Sequence, residues 1–219
     1  MINTVIFDFD GTLLDTLEDL TDSVNHIMDI HNYPKRTIDE IRSFIGNGIP
    51  TLIRRSIPAD IDESTAEICT EEMKKYYKTH AKIKTKPYDG INELLSELKK
   101  RNIKTAVVTN KAEASAKLLC KEFFGDTFTV VIGDNGIDKL KPAPDNVFKA
   151  IKLLNSDKEN ILYVGDSDVD IITANNASLT SVGVLWGFRD KECLEKNGAN
   201  YIISQPYELL NIIEKANNL

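Results

Sequence analysis

Two aspartates one residue apart, Asp8 and Asp10, follow the apolar run Val5, Ile6, Phe7 in the segment VIFDFDGTLLDT, with Gly11 and Thr12 directly behind them. Carboxylates at the tip of what reads as a buried strand are costly unless something pairs with them. Polar residues collect at three further strand ends: Thr109, Asn110 and Lys111 after KTAVV, Lys141 ahead of Pro142 and Pro144 in KLKPAPDN, and Asp166 and Asp170 in GDSDVD. Taken singly these are weak signals, because a Thr-Asn pair commonly caps a helix, KPAP makes a rigid turn, and GDSDVD suits an acidic helix start. Their chemistry agrees, however. Asp8, Asp10, Asp166 and Asp170 brought together would repel one another, and one lysine cannot offset them. A hard divalent cation such as Mg2+ can, since it takes oxygen ligands from one or two carboxylates plus a substrate phosphate. None of these segments carries a soft ligand, which disfavours zinc.

The remaining groups suit a phosphate: the Thr109 hydroxyl, the Lys141 ammonium, backbone N–H groups around Gly11 and Thr12, and helix N-termini after the strands. A carboxylate can act as a nucleophile and form an aspartyl-phosphate. Asp8 is the candidate, and Asp10 could protonate the leaving group and then activate water. Gly11, directly behind the two acids, permits the backbone to turn sharply after Phe9.

These residues need a scaffold that gathers strand ends. Short β-branched runs recur at 4–9, 104–110, 129–133, 160–166, 181–187 and 201–204, and helical patterns at 91–102, 111–124, 143–155 and 206–217 separate most of them. This alternation predicts an α/β fold, a parallel sheet with helices on both faces, in which ligands bind beyond the carboxyl ends of the strands. One region breaks the alternation. From 16 to 86 the patterns are helical only, at 17–32, 37–44, 49–57 and 63–82, with Thr37 and Glu40 spaced as a capping box. The sequence therefore predicts a core from 1–15 and 87–219 and a helical insertion over 16–86.

The chain has 219 residues, 42% hydrophobic and 28% charged, with a net charge of -7. Those values fit a globular protein with a substantial core. Interspersed charge and the acidic balance argue against nucleic acid as a partner, and no apolar run reaches the ~20 residues needed to span a bilayer. Cys69, Cys120 and Cys193 are too few and too far apart for a disulfide framework or a zinc site. With no basic segment and apolar stretch resembling a signal peptide at the N-terminus, a cytoplasmic location is expected.

The four segments together resemble the motifs of the haloacid dehalogenase superfamily of phosphohydrolases, nearly from end to end: Asp8 to Thr12 for DxDGT, Thr109 with Asn110, Lys141, and Gly165, Asp166 and Asp170 for GDxxxD. The resemblance implies a Rossmann-like parallel sheet core with an inserted helical cap that closes over bound phosphate. It implies Asp8 as nucleophile and metal ligand, Asp10 as acid/base with its backbone carbonyl on Mg2+, and Asp166 as the other carboxylate ligand. Thr109, Asn110 and Lys141 would bind phosphate, with Asp170 behind them, holding Lys141 or a metal-bound water. Within the superfamily the chain is similar to the phosphoglycolate phosphatase branch, through SFIGNGIPTLIRRSI (43–57), PYDGI (87–91) and VGVLWGF (182–188). It departs from that branch at Ser178, where the branch usually has glycine. The uncharged loop Gly46-Asn47-Gly48-Ile49 favours hydrolysis of a small monophosphate over a sugar-phosphate mutase, which tends to carry a basic residue there.

The expectation is a Mg2+-dependent phosphatase acting on a small phosphorylated metabolite resembling 2-phosphoglycolate, as a monomer or weak homodimer, with neither nucleic acid nor membrane as a partner. The same-family alternatives are a pyrophosphatase, a nucleotidase, a sugar-phosphate phosphatase or a β-phosphoglucomutase-like mutase. A phospho-acceptor signalling domain is the alternative from another class. Asp10 separates the two classes, since an acid/base beside the phosphorylated residue makes the phospho-enzyme turn over.

Overall fold

A computed structural model describes residues 1–217. The chain divides into two compact units, Met1–Leu14 with Pro87–Leu219, and Asp15–Lys86. It opens with β1 (Thr4–Phe7) and the two-residue β2 (Leu14–Asp15). Four helices follow: α1 (Leu17–Ile30), α2 (Ile38–Phe44), α3 (Gly48–Ser56) and α4 (Glu63–His80). After β3 (Lys86–Pro87) come α5 (Ile91–Lys100), β4 (Lys104–Ala112), α6 (Glu113–Phe124), β5 (Val130–Asp134) and α7 (Asp145–Leu154). The chain continues through β6 (Ile161–Gly165), α8 (Asp168–Ala177), β7 (Thr180–Val184), α9 (Lys191–Lys196), β8 (Tyr201–Ile203) and α10 (Glu208–Asn217).

Six strands form one sheet in the order β5-β4-β1-β6-β7-β8, and every pair in it is parallel. Helices flank this sheet, which makes the unit a doubly wound α/β fold whose strand order reverses between β1 and β6. Thr4 to Phe7 are all buried, as a central parallel strand requires. On one face, Ile6, Ala106, Val108, Ile161 and Tyr163 pack against Val147, Ala150 and Leu154 of α7 and Ala174 and Ala177 of α8. Each fully buried aliphatic or aromatic side chain of this kind contributes roughly 1.5–3 kcal/mol.

Register decides what emerges at the carboxyl edge. Phe7 lies beside Val107 on one flank and Val164 on the other. Asp8 is then one residue beyond that level, and Thr109 and Asp166 are two beyond, on adjacent strands.

The helical unit packs the apolar stripe of α1 (Leu20, Val24, Ile27, Met28), Leu52 and Ile53 of α3, and Cys69, Met73 and Tyr77 of α4, all buried. The capping box of α2 forms: Glu40 N–H donates to Thr37 Oγ1 (3.3 Å), and Thr37 N–H to the Glu40 carboxylate (2.7 Å). Asp19 is 3% exposed, and its carboxylate accepts the N–H groups of Lys84 and Thr85 at 2.8–3.1 Å.

Several elements are shorter than their sequence patterns. The first strand ends at Phe7 rather than 9, because Leu13 and Leu14 turn back to donate to the Phe9 carbonyl (3.0 and 3.1 Å). The strand expected to reach 187 stops at Val184, and the last helix begins at Glu208, after a turn at Pro206. Helix α9, six residues long, had no sequence expectation behind it. Among the described residues no helix is long and apolar enough to cross a membrane.

Ser178 closes α8 in the left-handed region, at φ 58° and ψ 43°, where a side chain costs ~1–2 kcal/mol. Its side chain is exposed. Ser178→Gly is expected to raise stability by up to about 1 kcal/mol in urea titration. An unchanged or lower midpoint would show that the serine is not strained there.

Candidate active site

Each candidate side chain reaches the carboxyl edge by a local device. Asp8 N–H donates to the Val164 carbonyl (2.8 Å), extending the ladder one step past β1. Gly11 follows at φ +86°, and a Cβ there would overlap the Asp166 carboxylate. The Asp166 Cβ also comes so close to Gly187 that a side chain there would collide with it. These two glycines let the Asp8–Thr12 turn and the loop after β7 close on Asp166 from both sides. That carboxylate accepts the Thr12 hydroxyl on Oδ1 (3.0 Å) and the Phe188 N–H on Oδ2 (2.8 Å). Trp186 fastens the two loops together, its Nε1–H donating to the Thr12 carbonyl (3.0 Å). The early end of β7 is thus explained, since the chain leaves the sheet to bring a backbone N–H to Asp166.

Lys141 is 4% exposed, and its ammonium donates to Asp8 Oδ1 at 2.6 Å and to Asp170 Oδ1 at 2.7 Å. Asp170, fully buried, accepts the Ser167 hydroxyl (2.6 Å) and N–H (3.1 Å) on its other oxygen. Asp8, Asp166 and Asp170 each place a carboxylate oxygen within 4.8 Å of the others'. A buried, all-oxygen cluster with this charge fits a hard divalent cation. Asp10 turns its carboxylate instead toward Lys111, whose Nζ lies 2.9 Å from Oδ1.

The electrostatics follow from burial. Asp8 is pushed up to about 7, first by desolvation and then by Asp170, against the pull of Lys141. Asp166 rises well above the usual carboxylate range, by burial first, then Asp170 and Asp8, while the Phe188 N–H and the Thr12 hydroxyl work the other way. Burial alone would favour a neutral Lys141, yet Asp170 and Asp8 together hold its ammonium well above the usual lysine value. These are buried acids whose charge is under-compensated by one cation.

Asn110, expected to bind phosphate, holds the segment that carries Lys141. Its side-chain oxygen accepts the Lys141 N–H (2.8 Å) and its amide donates to the Lys141 carbonyl (3.0 Å). Asn110 clamps the backbone that carries Lys141. Thr109 is buried, and its hydroxyl accepts the Lys111 N–H (3.2 Å). Lys111 was seen at this strand end in the sequence but given no role in the site. The signal that could have found it is its place directly after Thr109 and Asn110. Lys111 lies within the register shift of β4 between Val108 and Ala112, and Thr109, Asn110 and Lys111 are buried like the strand residues before them. Bulges of this kind re-aim side chains. The basic pair of the helical unit is used locally: Arg54 donates to the carbonyls of Ile61 and Ala59, and Arg55 to that of Phe44. Cys69 and Cys120 are buried free thiols, and burial, then Asp10, pushes Cys120 up to about 12.

A doubly wound sheet with this carboxylate cluster at its switch point has known counterparts. The pattern of the haloacid dehalogenase-like hydrolases matches residues 5–184. The chain is 36% identical over 214 residues to a provisionally named pyrophosphatase PpaX of Caldanaerobacter subterraneus subsp. tengcongensis, covering 97% of this chain and 95% of that one. It is 32% identical over 225 residues to the phosphoglycolate phosphatase of Neisseria meningitidis, covering 99% and 96%. A provisionally assigned phosphoglycolate phosphatase from Lactobacillus delbrueckii subsp. bulgaricus superimposes with a TM-score of 0.90 at 31% identity, over 94% of this chain and 96% of that one. The chain belongs to the haloacid dehalogenase-like hydrolase family, as an enzyme of its phosphatase group.

Asn110→Ala is expected to cost about 1–3 kcal/mol, because it orphans the buried N–H and carbonyl of Lys141. Urea unfolding measures this; a change within 0.5 kcal/mol, the scale of ordinary surface substitutions, would mean that the clamp is dispensable.

Proposed function

We propose that this protein is a Mg2+-dependent phosphatase of the cytoplasm that hydrolyses a small phosphate monoester resembling 2-phosphoglycolate through an aspartyl-phosphate on Asp8. The observation that carries the reading is the ion triad Asp8–Lys141–Asp170 beside Asp166 at the sheet's switch point. Lys141 holds Asp8 through Oδ1, which leaves Oδ2 to attack phosphorus. As the Oδ2–phosphorus bond forms and the ester bond breaks, Asp10 gives its proton to the departing oxygen. Water then attacks phosphorus with Asp10 taking its proton, and the Asp8–phosphorus bond breaks. Lys141 balances charge on the nucleophile and on the transferring phosphoryl group. The Thr109 hydroxyl and the N–H groups after Asp8 serve as phosphate donors. Asp8, Asp166 and the backbone carbonyl of Asp10 would hold the Mg2+, with Asp170 behind them, and the ion would offset carboxylate repulsion and polarise the phosphoryl oxygens.

The name of the Caldanaerobacter relative favours a second reading, pyrophosphate as the substrate. A screen of 2-phosphoglycolate, pyrophosphate, nucleotides and hexose phosphates, with and without Mg2+, decides between the readings by phosphate release. Preference for pyrophosphate would overturn the phosphoglycolate choice, and persistent labelling without turnover would point to a signalling domain.

Asp8→Asn is expected to lower turnover by at least about 10⁴-fold. Without Mg2+ at pH 7.5, its unfolding midpoint should equal or exceed that of the wild type, since a buried charge facing Asp170 has been removed. Near-normal turnover would dismiss Asp8 as nucleophile.

The raised Asp8 value also sets a pH dependence. The native protein holds that proton more tightly than the unfolded chain, whose value is the ordinary 3.8, so the associated stability is full below 3.8 and lost as pH rises through about 7. Mg2+ at a hundred times its Kd is expected to stabilise the protein by about 2.7 kcal/mol at pH 7.5, and much less at pH 5, where Asp8 is protonated. A thermal shift that is absent at pH 7.5 would remove the ion from this cluster.

A further inference from the structure

Lys111 is a second buried lysine at the carboxyl edge, its side chain 4% exposed. It stands at the bulge of β4, with its ammonium 2.9 Å from Asp10 Oδ1 and 6.0 Å from the centre of the Phe9 ring. Phe9 is fully buried. The stem of Lys111 is therefore enclosed and its charged end confined to the neighbourhood of Asp10. Lys141, by contrast, sits between Asp8 and Asp170, on the side of the nucleophile. The site thus places one ammonium at the attacking carboxylate and another at the acid/base.

This separation matters for the substrate. In the reaction proposed above, on which this inference rests, Asp10 hands its proton to the leaving oxygen. That oxygen then lies within hydrogen-bond distance of Asp10, and within about 8 Å of Lys111 Nζ. An anionic group carried a bond or two beyond the leaving oxygen falls within reach of the ammonium. Glycolate carries such a group one methylene away, and in pyrophosphate the leaving group is itself a phosphate. A neutral alcohol carries none. Lys141 is already engaged by Asp8 and Asp170, so beside Asp10 an incoming carboxylate would meet repulsion unless a second cation faced it.

We propose that Lys111 is a specificity-determining residue that selects substrates whose leaving group carries its own anion close to the scissile oxygen. The selection acts on both readings of the substrate, because the carboxylate of one and the phosphate of the other both place negative charge close to the leaving oxygen. The ammonium also orients the Asp10 carboxylate, so its loss touches every substrate to some extent, but it touches the anionic ones more.

The test uses the full chain with Mg2+ and follows phosphate release from 2-phosphoglycolate, pyrophosphate and ethyl phosphate, the last a near match for phosphoglycolate without its carboxylate. Wild type is compared with Lys111→Met and Lys111→Gln. The glutamine amide can still donate to Asp10 but carries no charge, and it guards against a methionine variant that does not fold. Both variants are expected to reduce the preference for the anionic leaving group over ethyl phosphate, in kcat/KM, by about 30-fold or more. Most of that change should lie in KM, as expected for lost binding. If Lys111→Gln restores both substrates, or if either variant lowers both by the same factor, Lys111 only positions Asp10 and the inference is overturned. If wild type releases phosphate from none of the substrates, the proposed function itself has failed and takes this inference with it. Activity that survives in wild type with an unmoved preference in the variants overturns the inference alone.

Discussion

Everything at the carboxyl edge of this sheet answers to one constraint: three carboxylates are buried within a few ångströms of one another, with a single ammonium between two of them. Lys141 bridges Asp8 and Asp170 at 2.6 and 2.7 Å. A buried ion pair of this geometry is a weak source of stability, since desolvation consumes most of the Coulombic gain, but removal of Lys141 would leave two buried carboxylates uncompensated, at a cost of several kcal/mol. The arrangement therefore behaves as a specification of geometry more than as a staple. Asp166, with no lysine against it in this triad, is held by neutral donors, the Thr12 hydroxyl and the Phe188 N–H. The excess negative charge that remains is what a divalent cation and the proposed chemistry would use.

Backbone devices serve that cluster. Parallel pairing of β1 with β4 and β6 sets Phe7, Val107 and Val164 at one level, so the next residues of three separate segments must converge. The turn through Gly11 and the departure of the chain after Val184 bring two loops against Asp166 in a space that admits no side chain at Gly11 or Gly187. Asn110 then fixes the Lys141 backbone from the neighbouring strand end. Close approach, rather than flexibility, is the use made of glycine here.

Much of this was legible beforehand. Strand–helix alternation predicted the parallel sheet because buried parallel strands must be apolar on both faces, and helices must cover them. The Thr37–Glu40 spacing predicted a capping box because both partners lie within one turn. The departure at Ser178 pointed to a strained helix end, and the residue does sit at φ 58°. Asn110 was legible only in part. Its type and position suit a phosphate contact, and only the path of the chain from β5 to α7 puts the Lys141 backbone against it. Lys111 was seen at the same strand end without a role, for a related reason. The register shift of β4 between Val108 and Ala112 precedes the turn of its ammonium toward Asp10, and nothing local announces such a shift.

By itself the sequence determined which side chains carry charge and hydroxyls at strand ends, the sheet class that places those ends along one edge, and the family pattern spanning most of the chain. These are local properties: periodicity, residue type, and spacing within a turn or a strand. The tertiary structure decided which acid faces which base, that Lys141 serves Asp8 and Asp170 while Lys111 serves Asp10, and that Asn110 holds backbone. Those pairings join residues between about thirty and more than a hundred positions apart. They arise from register and loop closure, and no short-range pattern encodes which of several like groups will meet when distant strand ends are packed side by side.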